Sequence, residues 1–179
     1  MKRITEVEIL RYQNNEVKEM MDEIIIEYSL TVVVNGIELI TLLCSPHALK
    51  DLAVGYLVTE GIIDKKEDIV SLVEDYDNNR ISIEITNQEI VPDRMKQKPT
   101  KASGGAKGTV SYSDPDNLGD YVVESDMRVK ADMALEFADI LSHSSELFQK
   151  TGGVHSTLLC DADNVLLFMD DVGRHNAVD

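Results

Sequence analysis

The side chains best suited to chemistry stand in two short segments near the end of the chain, MDDVGRHN (Met169–Asn176) and TGGVH (Thr151–His155). In the first, an apolar run ends in Asp170 and Asp171, turns at Gly173 and releases Arg174, His175 and Asn176 in succession. Loops at strand ends, held by a rigid sheet, are where ligand groups gather. Arg174 offers a planar fork for phosphate or carboxylate, and His175 can transfer a proton near neutral pH. Asn176 can cap a following helix whose N-terminus attracts anions. The competing reading, a salt-bridged turn followed by a helix cap, stands level with it. In the second segment, Gly152 and Gly153 let backbone N–H groups converge on an anion, Thr151 precedes them, and His155 opens a strand. A lone histidine on a strand is more often a packed residue than a ligand, but two His-bearing segments flanking one hairpin shift the balance toward a binding cleft. A metal site built from His155, His175 and Asp171 is a minor alternative, because the spacing matches no compact zinc motif.

Other loops carry weaker signals. ASGGAKG (Ala102–Gly108) has the small residues of a phosphate cradle, with Ser103, Gly104, Gly105 and Lys107 as its polar or pliant members, but lacks the Gly-Lys-Ser/Thr arrangement of a P-loop and reads better as a linker. Ser103 would need a neighbouring base to act as a nucleophile. Asp114, Asp116 and Gly119 suggest a calcium loop, which fails because Leu118 and Ser125 fall where oxygen ligands belong.

The elements that must position these groups are legible in part. Ile4–Leu10 alternates as a half-buried strand does, and Asn14–Asp22 reads as a loop or short helical turn. Ile24–Val34 and Ile37–Cys44 flank Asn35-Gly36, a strong hairpin signal. Ser45-Pro46 reads as cap and first residue of a helix with Leu49, Leu52, Ala53, Tyr56 and Leu57 on one face, a stop at Gly61, and Gly55 permitting close packing on the sheet. A second hairpin joins Ile69–Tyr76 to Arg80–Thr86. Pro92–Pro99 reads as a linker. Ser125 or Asp126 then caps a helix to about Ser142, packed through Met127, Ala131, Ala134, Leu135, Ala138 and Leu141. Strands Val154–Cys160 and Val165–Met169 close the order, followed by a helix start at Asn176. A helix beginning there would have too few residues for a stable turn, so sequence is expected to continue beyond Asp179. The composition shift near residues 92–108 divides the chain into a hairpin-rich region with one helix, 1–98, and a second region, 99–179.

Composition bounds the function. Lys and Arg total 17 against 33 Asp and Glu, a net charge of −16, which repels nucleic acid and anionic membranes. Cys44 and Cys160 form no C-x-x-C or zinc pattern. No apolar stretch approaches membrane-helix length, and the opening MKRITEVEIL lacks the continuous apolar run of a secretory signal. A soluble α+β protein in a reducing cytoplasm is expected.

Three segments together resemble the FdhD/NarQ family of formate dehydrogenase accessory proteins: HALKDLAVGYLVTEGII (His47–Ile63), the Gly-rich loop Ser103–Gly108, and KTGGVHSTLLC with DVGRHNAVD (Lys150–Asp179). The last is the most specific. The resemblance implies a larger cytidine-deaminase-like α/β/α domain beside a smaller hairpin-rich α+β domain, a homodimer, and family members that continue past this final Asp. It implies a sulfurtransferase-like accessory protein that takes sulfur from a cysteine desulfurase. The recipient is the molybdenum bis-guanine-dinucleotide cofactor, bound before that cofactor enters formate dehydrogenase. Carried over by position, the family's Cys-Gly-x-Cys arrangement is Ser103-Gly104-Gly105-Ala106 here, with Ser103 at the first sulfur position. A hydroxyl cannot form a persulfide, which leaves the enzymatic status open. Gly104, Gly105, Lys107, Thr151, Gly152, Gly153, His155, Asp171, Arg174 and Asn176 become cofactor-binding candidates, and His175 a proton donor. The alternatives are a cofactor-binding chaperone without sulfur transfer and a metal-dependent deaminase-like hydrolase; the latter's His-x-Glu and Pro-Cys-x-x-Cys motifs do not occur.

Overall fold

The computed structural model describes residues 1–88 and 124–179. The linker at 92–99, the Gly-rich loop with Ser103, Gly104, Gly105 and Lys107, and the turn at 114–119 lie outside the described residues.

The chain opens with a ribbon of two antiparallel strands, β1 (Ile4–Gln13) and β2 (Glu16–Ile25). The segment expected to be a loop or helical turn is therefore mostly strand. Asn14 and Asn15 both adopt positive φ, 54° and 63°, which is the two-residue turn a right-twisted hairpin favours. β2 carries charge on both faces, so its period-2 pattern is faint in the sequence.

A four-stranded sheet follows, in the order β4-β3-β6-β5, from β3 (Tyr28–Val34), β4 (Ile37–Cys44), β5 (Ile69–Asp75) and β6 (Arg80–Ile85). Both expected hairpins form, and Asn35 (φ 49°) and Gly36 (φ 77°) make the first turn. The Asn35 side chain also accepts from the Ile85 N–H at 2.8 Å, tying that turn to β6. β3 and β6 run parallel, joined through α1 (Leu49–Thr59). The inward residues Leu30, Val32, Val34, Ile81, Ile83 and Ile85 are fully buried against Leu49, Leu52, Ala53 and Leu57 of α1. Each such side chain contributes roughly 1.5–3 kcal/mol, so this unit holds most of the burial.

The start of α1 differs from expectation. Its N-cap is Ala48 in the left-handed region, without a side-chain capping bond. Ser45 is buried and bonded elsewhere, as described below. Its end is as expected: Gly61 (φ 61°) follows the cap, and the N–H groups of Gly61 and Ile62 return to Val58 and Leu57 at 2.9 and 2.8 Å, closing a Schellman motif. Gly55 does provide a close approach, but to the backbone of Asp179 rather than to the sheet; a Cβ there would lie 1.7 Å from the Asp179 carbonyl oxygen.

In the second half, α2 spans Ala131–Ser144 and starts later than a cap at Ser125 or Asp126 would place it. None of its residues is buried, and Leu135 is 71% exposed. The half-buried side chains are Met133, Phe137, Ile140 and Leu141, so of the anticipated stripe only Leu141 lies on the protected side. Ala131, Ala134 and Ala138, spaced through the helix, gave two faces similar apolar character. A short α3 (Glu146–Thr151) ends on Gly152 (φ 62°) and packs against β2. Strands β7 (His155–Cys160) and β8 (Val165–Asp171) pair as a separate antiparallel hairpin. The described residues form a mixed α+β fold of three sheets and helices, and none of these helices is long and apolar enough to cross a membrane.

Candidate functional site

The β7–β8 register sets His155 directly opposite Asp171. The TGG segment entering β7 and the VGRHN segment leaving β8 therefore emerge from the same end of the hairpin. This is the juxtaposition the two sequence segments suggested.

That end is anchored by the two consecutive aspartates, whose side chains must leave β8 on opposite faces. Asp170 pairs with Arg3 and accepts the Ser145 hydroxyl at 2.7 Å. Ser145 in turn accepts the Phe148 N–H at 2.9 Å as the N-cap of α3. One carboxylate thus ties β8 to the start of the ribbon and to α3. Asp171 serves the other side. Its carboxylate accepts the Ser45 N–H at 2.7 Å, the Gly173 N–H at 2.7 Å and the Asn176 side-chain amide at 2.8 Å. The Ser45 hydroxyl accepts the Val172 N–H at 3.1 Å, and the Asn176 amide also donates to the Leu43 carbonyl at 2.9 Å. Burial pushes the Asp171 carboxyl above the usual range, while these donors and the Arg3 charge pull it back.

Residues 173–179 form tight turns, with the Ala177 N–H bonded to Gly173 and those of Val178 and Asp179 to His175. Thr59 of α1 donates to the Asp179 carboxylate at 2.7 Å. Burial raises that carboxyl, countered by Thr59 and by the nearby His175.

The frame leaves Arg174 and His175 exposed. Among the described residues neither side chain has a hydrogen-bond or ion-pair partner, whereas Asp171 and Asn176 are engaged by the fold itself. Gly152 is exposed, and a Cβ there would meet nothing within 4 Å. Gly153 faces Ile25 of β2, 3.0 Å from its would-be Cβ, and its N–H donates to the Thr151 hydroxyl at 3.1 Å. His155 is exposed rather than packed in the core. Among the described residues no three His, Cys, Asp or Glu side chains gather in a metal-holding arrangement. A cleft of about 360 Å³ lies on the Asp170 side, lined by Arg3, His47, Ser144, Glu146, Leu147 and neighbouring β8 residues. It shares no lining residue with the candidate set.

Neither cysteine stands in this turn. Cys44 is fully buried beside Asp171, with its thiol pushed up to about 12 by burial first and that carboxylate second. Cys160 is half-buried at the opposite end of the β7–β8 hairpin. The residues that sequence reasoning missed are Arg3, Ser45, Thr59 and Asp170. Ser45 and Asp171 are 126 positions apart, and no local pattern couples them.

Fold and site together define an α+β protein in which a hairpin end presents an Arg-His turn on an aspartate-anchored base. The chain belongs to the FdhD/NarQ family, whose model matches residues 25–179. It is 30% identical over 172 residues to the sulfur carrier protein FdhD of Bacillus subtilis (strain 168), covering 96% of this chain and 66% of that one. Identity to the sulfur carrier protein FdhD of Staphylococcus haemolyticus (strain JCSC1435) is 33% over 173 residues, 96% of this chain and 65% of that protein. The chain thus spans about two thirds of the length of the curated relatives it matches. A crystal structure of a proposed formate dehydrogenase accessory protein from Desulfotalea psychrophila superposes with a TM-score of 0.72 at 20% identity, over 99% of this chain and 64% of that one. That likeness bears on the fold.

Proposed function

We propose that this protein supports sulfuration of the molybdenum bis-guanine-dinucleotide cofactor destined for formate dehydrogenase, by holding the cofactor at the end of the β7–β8 hairpin. The observation that carries the reading is the exposed pair Arg174 and His175, neither hydrogen-bonded nor ion-paired through its side chain among the described residues, on a turn fixed from behind by Asp171, Ser45 and Asn176. The side-chain donors fit a nucleotide phosphate: a guanidinium and an imidazole beside Gly152, where no side chain bars approach, while the N–H groups of Gly152 and Gly153 are already bonded to the Phe148 carbonyl and the Thr151 hydroxyl. Arg174 would pair with phosphate, His175 would orient it or donate a proton, and Gly152–Gly153 would line it, with Thr151 and His155 alongside. Asp171 and Asn176 would act by shaping the turn. The cofactor supplies, when bound, the metal centre to which sulfur is delivered. Gly104, Gly105 and Lys107 belong to the same reading as further phosphate contacts, and the wider resemblance adds a cytidine-deaminase-like domain, a homodimer, a cysteine desulfurase as sulfur source and a cytoplasmic setting.

A second reading, a cofactor-holding chaperone without sulfur transfer, has a specific observation in its favour. Ser103 and Ala106 occupy the expected sulfur positions, and Cys44 is buried with its thiol raised to about 12, far from the thiolate state that sulfur relay needs. Calorimetry with GDP tests the site common to both. Arg174→Ala and His175→Ala are each expected to weaken binding roughly tenfold, the loss of one charge-assisted bond, with unchanged unfolding midpoints. Unchanged affinity in both variants overturns the site.

A further inference from the structure

Toward its tip the β1–β2 ribbon has one face with no covering element among the described residues; at its base the same face is half-buried at Ile4, Glu23 and Ile25, the last beside Gly153. Directly paired residues share a face. On one side of the ribbon, Val7, Ile9, Met20 and Asp22 are half-buried. The other side carries Tyr12 opposite Val17, Leu10 opposite Glu19, Glu8 opposite Met21, and Glu6 opposite Glu23. Its apolar members stand in water: Leu10 and Tyr12 are each 69% exposed, Val17 62% and Met21 54%. Glu6 and Glu23 face each other as like charges, a pairing that costs stability in an antiparallel ladder. None of the four glutamates has an ion-pair partner among the described residues. Among the described residues the sheet is two-stranded, so in their frame the outer edge of β1 keeps backbone groups available to another strand.

We infer that the outer edge of β1 is a docking site for an extended basic segment of a partner protein. Along that edge, same-face residues run Glu6, Glu8, Leu10, Tyr12, acids toward the body and apolar groups toward the tip. An added strand places every second side chain beside them. Its fitting sequence has two apolar residues and then two Lys or Arg, each separated by one residue. The charges select the occupant. A second copy laid antiparallel along the same edge would set Glu6 beside Tyr12 and Glu8 beside Leu10, leaving the acids without a counter-charge, and a phosphate-bearing surface would be repelled by these carboxylates and by a net charge of −16. Basic side chains instead relieve the Glu6–Glu23 repulsion. The surface goes beyond the proposed cofactor site, and the family match begins only at residue 25, where the ribbon ends.

The probe is a fluorescein-labelled peptide of roughly eight residues, Leu-Thr-Val-Thr-Lys-Thr-Lys-Thr, long enough to pair along one strand. A control of the same composition puts the lysines and the apolar residues on opposite faces. Anisotropy is expected to show at least tenfold tighter binding of the probe than of the control. Glu6→Lys/Glu8→Lys is expected to lose at least tenfold of that affinity. Leu10→Ser/Tyr12→Ser, which keeps every charge, serves if the first variant fails to fold, and is expected to lose binding too. Backbone NMR shifts should concentrate in residues 4–13. Equal binding of probe and control, affinity unaffected by either variant, or shifts centred outside the ribbon overturns the proposal. So does sedimentation showing self-association that Leu10→Ser/Tyr12→Ser abolishes, which would assign the face to a second copy. No nucleotide enters the experiment, so its outcome is independent of the cofactor reading.

Discussion

At the scale of single residues, the shape of the turn rests on a carboxylate bonded within the fold. Asp171 accepts two backbone N–H groups and one amide while nearly excluded from water. Removing it leaves those donors unmatched, and an unmatched buried polar group costs more than its hydrogen bond contributed. Asp171→Ala is expected to destabilise the fold by about 2–4 kcal/mol, read as a lower urea midpoint. The raised carboxyl of Asp171 adds a pH dependence of definite sign. The folded state holds the proton more tightly than the unfolded state, so this contribution is complete below the ordinary Asp value, about 3.9, and is lost as pH rises through the elevated one. Compared at each pH with Asp171→Asn, which cannot titrate, the wild type should lose relative stability across that window. A difference that is flat with pH would show that its donors offset the burial in full.

Between elements, α1 is the bed on which the terminal turn lies. Alanine in place of a mid-helix glycine ordinarily stabilises a helix by about 1 kcal/mol. At Gly55 the new methyl would meet the Asp179 carbonyl at 1.7 Å, a contact no side-chain rotation can relieve. The overpacking cost of about 1–3 kcal/mol is expected to win, so Gly55→Ala should lower the unfolding midpoint despite its better propensity. It should also break the bond from Thr59 to Asp179 and shift the amide resonances of residues 174–179, while those near Asp161 at the far hairpin turn stay in place. A raised midpoint with unmoved resonances would remove α1 from any role in setting the turn.

For the whole molecule, the question is what replaces the thiols. The described cysteines are one sealed in the core beside Asp171 and one at the far end of a hairpin, and the resemblance to the family would set Ser103 and Ala106 at its sulfur positions. If the proposed frame is otherwise competent, restoring the thiols should restore sulfur loading. Ser103→Cys/Ala106→Cys, incubated with a cysteine desulfurase and cysteine, is expected to gain the mass of one sulfur atom, reversibly under reductant. The wild type should gain none. Sulfur on the unaltered protein would show that Cys160 or Cys44 carries the relay and would remove the chaperone reading.

The hairpin at Asn35-Gly36, the second hairpin, the apolar face and glycine stop of α1 and the β7–β8 pair are local facts, set by turn geometry and side-chain period within a few residues, and the sequence alone determined them. The candidate turn was legible for the same reason, since Arg174 and His175 follow an apolar strand directly. Ser45 shows where local reading stops. Beside Pro46 it has every feature of a helix cap, yet its hydroxyl accepts the Val172 N–H and its own N–H donates to Asp171, 126 positions away, because a buried polar group left unmatched costs more than a helix end that water can serve. Gly55 likewise marks a close approach in sequence but not to what, and β2 and the packed face of α2 were ambiguous where apolar and polar residues alternate without contrast. Which distant groups meet, and so which aspartate anchors and which arginine stays free, was decided only in three dimensions, where burial makes each unmatched polar group costly enough to choose its partner.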